Sequence, residues 1–147
     1  MDIDFKKAGI KDIPTLISLE QKVSGSKFYS PELTKDEWLE DLNKSEVYLI
    51  KADDRVVGNI SYEMKSPSLA YISGLVIIPS SQGKGMGRKA MELILEKLQT
   101  VKKIELVTHP DNLKARKLYE SLGFKIESRI ENYFGDGEPR IKMVLNK

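Results

Sequence analysis

Apolar and polar residues alternate along this chain in two rhythms, and the switches between them mark out its elements. DIDFKK (2–7) alternates and predicts a short first strand. KDIPTLISLEQKV (11–23) places Ile13, Leu16, Ile17 and Val23 near one helical face, with Asp12 as N-cap and Pro14 in the first turn. GSKFYSPEL (25–33) breaks the rhythm and reads as a loop. Thr34 and Glu37 have capping-box spacing and open a second helix through Trp38, Leu39 and Leu42.

EVYLIKADDRVVGNISYEMK (46–65) holds two β-rich runs about Asp53-Asp54-Arg55, the pattern of a hairpin. LAYISGLVIIP (69–79) is a further strand, closed by Pro79. Met86, Ala90, Ile94 and Leu98 then recur every four residues, a helix of about four turns. KKIELVTH (102–109) reads as strand. NLKARKLYESLGF (112–124) reads as a helix closed by Gly123, with Phe124 as its terminal apolar contact. The tail, 125–146, predicts two strands about Gly135-Asp136-Gly137. The order β-α-α-β-β-β-α-β-α-β-β predicts a mixed α/β sheet with helices on its faces. The strand before the glycine-rich stretch, the helix after it and the strand at 103–108 form one βαβ crossover, hence a parallel, right-handed pair.

Composition narrows the function. A chain of 147 residues suits one domain with one core, spanning 1–147. Lys plus Arg is 24 and Asp plus Glu is 22, too even a balance to argue for nucleic acid. No apolar run reaches the ~18 residues of a membrane span, and no signal-peptide pattern opens the sequence, so a cytoplasmic protein is expected. The absence of cysteine removes disulfides, thiolate metal sites and a cysteine nucleophile; with His109 as the single histidine, no metal is expected.

QGKGMG (82–87) is the candidate for chemistry. Its glycines do not fit a P-loop, which needs G-x-x-x-x-G-K followed by Ser or Thr, nor the G-x-G-x-x-G dinucleotide fingerprint. A tight strand-to-helix turn with no ligand is the plain alternative. Gln82-x-x-Gly85-x-Gly87 does match the Q/R-x-x-G-x-G/A motif of the GNAT acetyltransferases, and GLVIIPSSQGKGMGRKAMELILEKL resembles that family's strand, loop and helix throughout. NLKARKLYESLGF resembles its second signature, with Asn112, Ala115, Tyr119, Gly123 and Phe124 in place.

The resemblance implies a GNAT fold: a seven-stranded, mostly antiparallel sheet with four helices and a splayed parallel pair, 69–78 and 103–108, that admits acetyl-CoA. It implies that Leu75, Val76 and Ile77 offer backbone groups to the pantetheine arm. An N–H of Val76 or Ile77 would meet the thioester carbonyl. Gln82, Gly83, Lys84, Gly85, Met86, Gly87 and Arg88 would hold the pyrophosphate at a helix N-terminus. Asn112 would lie beside the cofactor, cap the last helix, or both. Tyr119 would hydrogen-bond the departing thiolate and protonate it; its plain alternative is core packing.

SLEQKV, YESLGF and ENYFGDGEPR further resemble the N-terminal α-amine acetyltransferases, including those of ribosomal proteins. Where that group often carries a Glu or His base, five residues before the asparagine, this chain has Val107. Glu105 shares its side of the strand, either as a base through water or as an ion-pair partner; His109 in the next loop reads as a structural or cofactor-side contact. An α-amine, with a pKa of about 7.7–8.0, needs a base less than a lysine near 10.4. The acceptor is expected between the 24–33 loop and the last hairpin, with Phe28, Tyr29, Tyr133 and Phe134 as candidate walls. Glu63 and Glu131 would either attract a cationic amine or serve as ordinary surface carboxylates. The expectation is acetyl transfer from acetyl-CoA to a peptide or protein N-terminus, by a monomer or homodimer, without metal, membrane or nucleic acid. A small amine such as a polyamine, amino acid or aminoglycoside is the alternative acceptor, favoured by an acidic pocket. A non-catalytic CoA-binding module is the alternative from another class.

Overall fold

The computed structural model describes residues 2–147. Its strands are β1 (Ile3–Lys7), β2 (Glu46–Ala52), β3 (Arg55–Ser66), β4 (Leu69–Ile77), β5 (Lys103–Thr108), β6 (Lys125–Ile130) and β7 (Arg140–Asn146), and its helices α1 (Ile13–Gln21), α2 (Lys35–Lys44), α3 (Met86–Lys97) and α4 (Leu113–Ser121). One seven-stranded sheet runs in the order β1-β2-β3-β4-β5-β7-β6. Every adjacent pair is antiparallel except β4 and β5. This is the mixed α/β architecture that the sequence predicts, element for element.

Local chemistry sets the boundaries. Asp53 and Asp54 both take positive φ, 49° and 67°, and close the β2–β3 hairpin in two residues. Thr34 accepts the Glu37 N–H at 3.2 Å and donates its hydroxyl to the Glu37 carboxylate at 2.8 Å, starting α2. Asp12 precedes α1, but its carboxylate accepts the Gly9 N–H at 2.9 Å, so it closes the 3-10 turn Ile10–Asp12 instead of bonding into the helix. α1 is also shorter than its apolar stripe predicts: it ends at Gln21, and Val23 is buried from the turns beyond.

The end of α4 bears directly on the site. Gly123 has φ +99°, its N–H donates to Glu120 O at 3.0 Å, and the Phe124 N–H donates to Tyr119 O at 3.0 Å. That is a Schellman termination, and it pins the backbone of Tyr119. Phe124 is 2% exposed and meets the Tyr119 ring edge-on at 6.1 Å.

Candidate active site

The sheet opens where β4 and β5 part. Their parallel register runs from Leu69–Lys103 to Ile72–Leu106 and stops. Beyond that point β4 stays paired with β3 as far as Ile77, and β5 with β7 as far as Thr108. The cause is visible in the β3 register: Ser61 faces Gly74 while Tyr62 faces Ile72, leaving Ser73 as an extra residue on β4. Such a bulge bends and twists its strand, here away from β5.

The gap exposes backbone. Ile78 N–H bonds Val57 C=O at 2.9 Å. Antiparallel alternation then directs the backbone groups of Val76 and Gly74 to β3, and those of Leu75 and Ile77 to the gap. The Ile77 carbonyl is taken by the Gln82 side-chain amide at 2.8 Å. Ile77 N–H and both groups of Leu75 remain for a strand-like guest. Gly58 permits the β3–β4 approach: a Cβ there would lie 2.1 Å from the Val76 carbonyl oxygen.

From the gap a cleft of about 1200 Å³ extends in both directions. At one end lies the glycine turn. Gly83 and Gly85 hold φ of +76° and +80°, with no atom within 4 Å of where a Cβ would stand. Gly85 is the N-cap of α3, a glycine without a side chain to bond the first N–H groups, and no acid occupies the first turn. The dipole end of a 12-residue helix therefore faces the cleft uncapped and unopposed. Gln82, Gly83, Gly85, Met86, Gly87 and Arg88 line it; Lys84 does not. Arg88 is steadied by Ser121 Oγ at 2.6 Å, so α3 and α4 are tied across the cleft mouth. Asn112 lines the cleft and caps α4, its Oδ1 accepting the Ala115 N–H at 3.3 Å.

Tyr119 lines the cleft from α4 and is 8% exposed. Burial, with the neighbouring Tyr29 phenol second, pushes its pKa well above the ordinary tyrosine range. It is therefore protonated at any working pH. Val107 lines the cleft as well. Glu105 does not, and it pairs with Lys142 at 3.6 Å. His109 is 1% exposed; its Nδ1 accepts the Asp111 N–H at 3.0 Å, which places the proton on Nε2, 2.7 Å from Glu138. With the Phe28 ring 5.3 Å from the imidazole, His109 knits three loops together behind the cleft.

Of the four candidate acceptor walls, Phe28, Tyr29 and Phe134 line the cleft and Tyr133 does not. Tyr133 and Phe134 lie in the connection after β6, packed edge-on at 4.7 Å. Phe134 also carries the Arg140 guanidinium over its ring at 5.1 Å. Arg140 itself is 1% exposed and bonds Asp136 at 3.1 Å.

Two groups of lining residues have no counterpart in the sequence reading. Asn59, on β3 opposite Val76, is 1% exposed, and its Nδ2 has no hydrogen-bond partner. Glu20, Glu32, Glu37 and Asp41 form an acidic wall from α1, the following loop and α2. Burial raises the Glu20 pKa to about 8, with Asp41 and Glu37 adding repulsion. Glu32 is pushed up to about 9 by burial, then by a hydrogen bond with Asp41. Glu20 carried a readable signal: it follows Leu16 by four residues and so sits on the buried stripe of α1.

The profile of the acetyltransferase (GNAT) family matches residues 14–124. The chain belongs to that acetyltransferase family. Its fold is shared with the ribosomal-protein-S18-alanine N-acetyltransferase of Escherichia coli (TM-score 0.84, 19% identity, 99% of this chain and 94% of that one). A GNAT family acetyltransferase from Elizabethkingia anophelis with acetyl-CoA bound is similar over 99% of this chain and 98% of its own (TM-score 0.77, 17% identity). UPF0157 protein YqkA of Bacillus subtilis is 33% identical over 75 residues, which is 51% of this chain but 22% of that longer protein.

Proposed function

We propose that this protein transfers the acetyl group of acetyl-CoA directly to a primary amine, the N-terminal α-amine of a peptide or protein, in the cytoplasm. The observation that carries the reading is the continuity of the cleft. An uncapped helix N-terminus, the unpaired Leu75 and Ile77 backbone and Tyr119 follow one another along a single opening.

The pyrophosphate of acetyl-CoA fits the turn from Gly83 to Arg88, where positive φ and empty Cβ positions let the backbone approach an anion. Gln82 braces that turn on Ile77, Lys84 adds charge outside the cleft wall, and Met86 anchors the turn in the core. The pantetheine arm runs past Leu75, Val76 and Ile77, with Asn112 alongside. The thioester carbonyl accepts the Ile77 N–H, and that bond strengthens as the oxygen becomes anionic. The amine nitrogen attacks the carbonyl carbon, the new C–N bond forms, and the C–S bond breaks. The sulfur leaves as thiolate, and the nitrogen gives up its proton to water in the open cleft.

Tyr119 donates its hydroxyl to that sulfur. A thiolate near pKa 8.5 is a weaker base than this phenolate, so the hydrogen bond to the developing charge supplies most of the effect. Val107 offers no base, which suits an α-amine that is partly neutral at pH 7. The likeness to the S18-alanine enzyme supports a polypeptide acceptor, and Phe28, Tyr29 and Phe134, with Tyr133 packed on Phe134, are its aromatic walls. The acidic wall favours a second reading, a small polyvalent amine.

The test is transfer of labelled acetyl to a lysine-free peptide. Label on the free N-terminus, and none on the same peptide blocked there and given a lysine, supports the α-amine. Label on the blocked peptide's lysine overturns it.

A further inference from the structure

The acidic wall gathers four carboxyls, and Glu20 and Glu32 keep their protons there until a cation beside them favours the ionised form. Glu20 is 7% exposed, lines the cleft, and makes no hydrogen bond or ion pair among the described residues. Glu32 also lines it: its carboxyl meets Asp41, while its Oε2 is buried without a partner. Glu37 and Asp41 project from successive turns of α2. The bases nearby do not answer them. Lys44 lies 3.7 Å from Asp41 alone, and Lys22 lines the cleft without pairing with any of the four. Tyr29 faces Glu20 as a neutral phenol. Arg88, Lys114 and Arg140 line the same cleft, and Arg140 is held by Asp136.

A buried carboxyl without a partner is costly, and it persists where a ligand completes it. We propose that Glu20, Glu32, Glu37 and Asp41 form a subsite for a second cationic group on the acceptor, beyond the amine that is acetylated. This inference rests on the amine-acetylation reading above. The ammonium to be acetylated is satisfied by one carboxylate at most and must leave as a neutral amide. A second ammonium or guanidinium keeps its charge through the reaction and holds the acceptor in place. Its source is either a basic side chain close to a peptide N-terminus or the second amine of a linear diamine.

Matched acceptors separate the sources. Peptides with arginine or glutamine at position two or three differ in a charge that is not itself acetylated. 1,4-Diaminobutane and butylamine differ likewise. A kcat/KM at least about tenfold higher for the dication in either pair is expected, as for a partly desolvated ion pair. The pair that shows it names the source. That preference is expected to vanish in Glu20→Gln/Glu32→Gln and to shrink in Glu37→Gln, which keeps the Thr34 contact. Equal kcat/KM within both pairs overturns the proposal, as does a preference that survives both variants. If no acceptor turns over, the transfer reading fails and the subsite is judged by calorimetry with N,N,N′,N′-tetramethyl-1,4-diaminobutane, a dication that cannot be acetylated. Binding to the wild type and loss in the double variant support the subsite; no binding to the wild type overturns it.

Discussion

The two ends of the cleft are built in opposite ways. The glycine end is one continuous piece of chain, Gln82 to Arg88, whose shape follows from glycines at positive φ and a helix that starts without a side-chain cap. The acidic end is assembled from α1, the 25–33 loop and α2, and its character comes from burial rather than from any local pattern. A site made of backbone needs adjacent residues, whereas a site made of side chains can draw them from anywhere the fold brings together. The first kind is written in the sequence as a motif. The second is visible only once distant segments meet.

Six substitutions, taken in four steps, test that contrast from the largest effect to the smallest. Gly85→Glu puts a carboxylate where the backbone is to meet a pyrophosphate. Acetyl-CoA affinity should fall at least about 100-fold, or ~3 kcal/mol. Gly85→Ala, which shares the strain at φ +80° but not the charge, should lose much less. Calorimetric titration of both variants decides, and equal losses would mean that only the turn's shape matters.

Tyr119→Phe should lower kcat about 100-fold with little change in KM for acetyl-CoA. A loss below threefold would return Tyr119 to the core, where its 8% exposure and Phe124 contact also fit it.

The acidic end should show itself in stability. Glu20 and Glu32 hold their protons up to about pH 8 and 9 in the fold, but only to the ordinary carboxyl range when unfolded. The folded state therefore binds more protons between those limits, and the protein loses stability as pH rises from about 4.5 toward 9. Below that window the two carboxyls cost nothing by this route. Glu20→Gln should raise Tm at pH 8 and change it little at pH 5. A melting-temperature gain that is equal at both pH values would show that Glu20 is not held protonated.

The smallest effects concern the helix starts beside each end. Thr34→Ala and Asn112→Ala each remove an N-cap bond and should cost about 1 kcal/mol in urea unfolding. Only Asn112→Ala should also raise KM for acetyl-CoA. Equal KM values in the two variants would confine Asn112 to capping.

The same contrast explains what was legible beforehand. The element order, the Asp53-Asp54 hairpin, the Thr34 cap and the Gly123–Phe124 termination all rest on neighbours within a few residues, and the structure has each of them. Leu75, the glycine turn and Tyr119 come together along the cleft because one βαβ crossover and the helix after it carry them there. The Ser73 bulge was not legible, because an extra residue is defined only against its partner strand. The same holds for Gln82, whose amide turns back to Ile77, and for His109, whose ring joins loops from three parts of the chain. Tyr133 and Phe134 look alike in sequence, yet their loop directs only Phe134 into the cleft.

The most direct measurement of the central claim is CoA release from acetyl-CoA with three acceptors in parallel: a lysine-free peptide with a free N-terminus, the same peptide blocked there but carrying one lysine, and spermidine. Turnover with the free N-terminus, and none with the blocked peptide, is the predicted result. Turnover with the blocked peptide, or with spermidine alone, would contradict an α-amine acceptor.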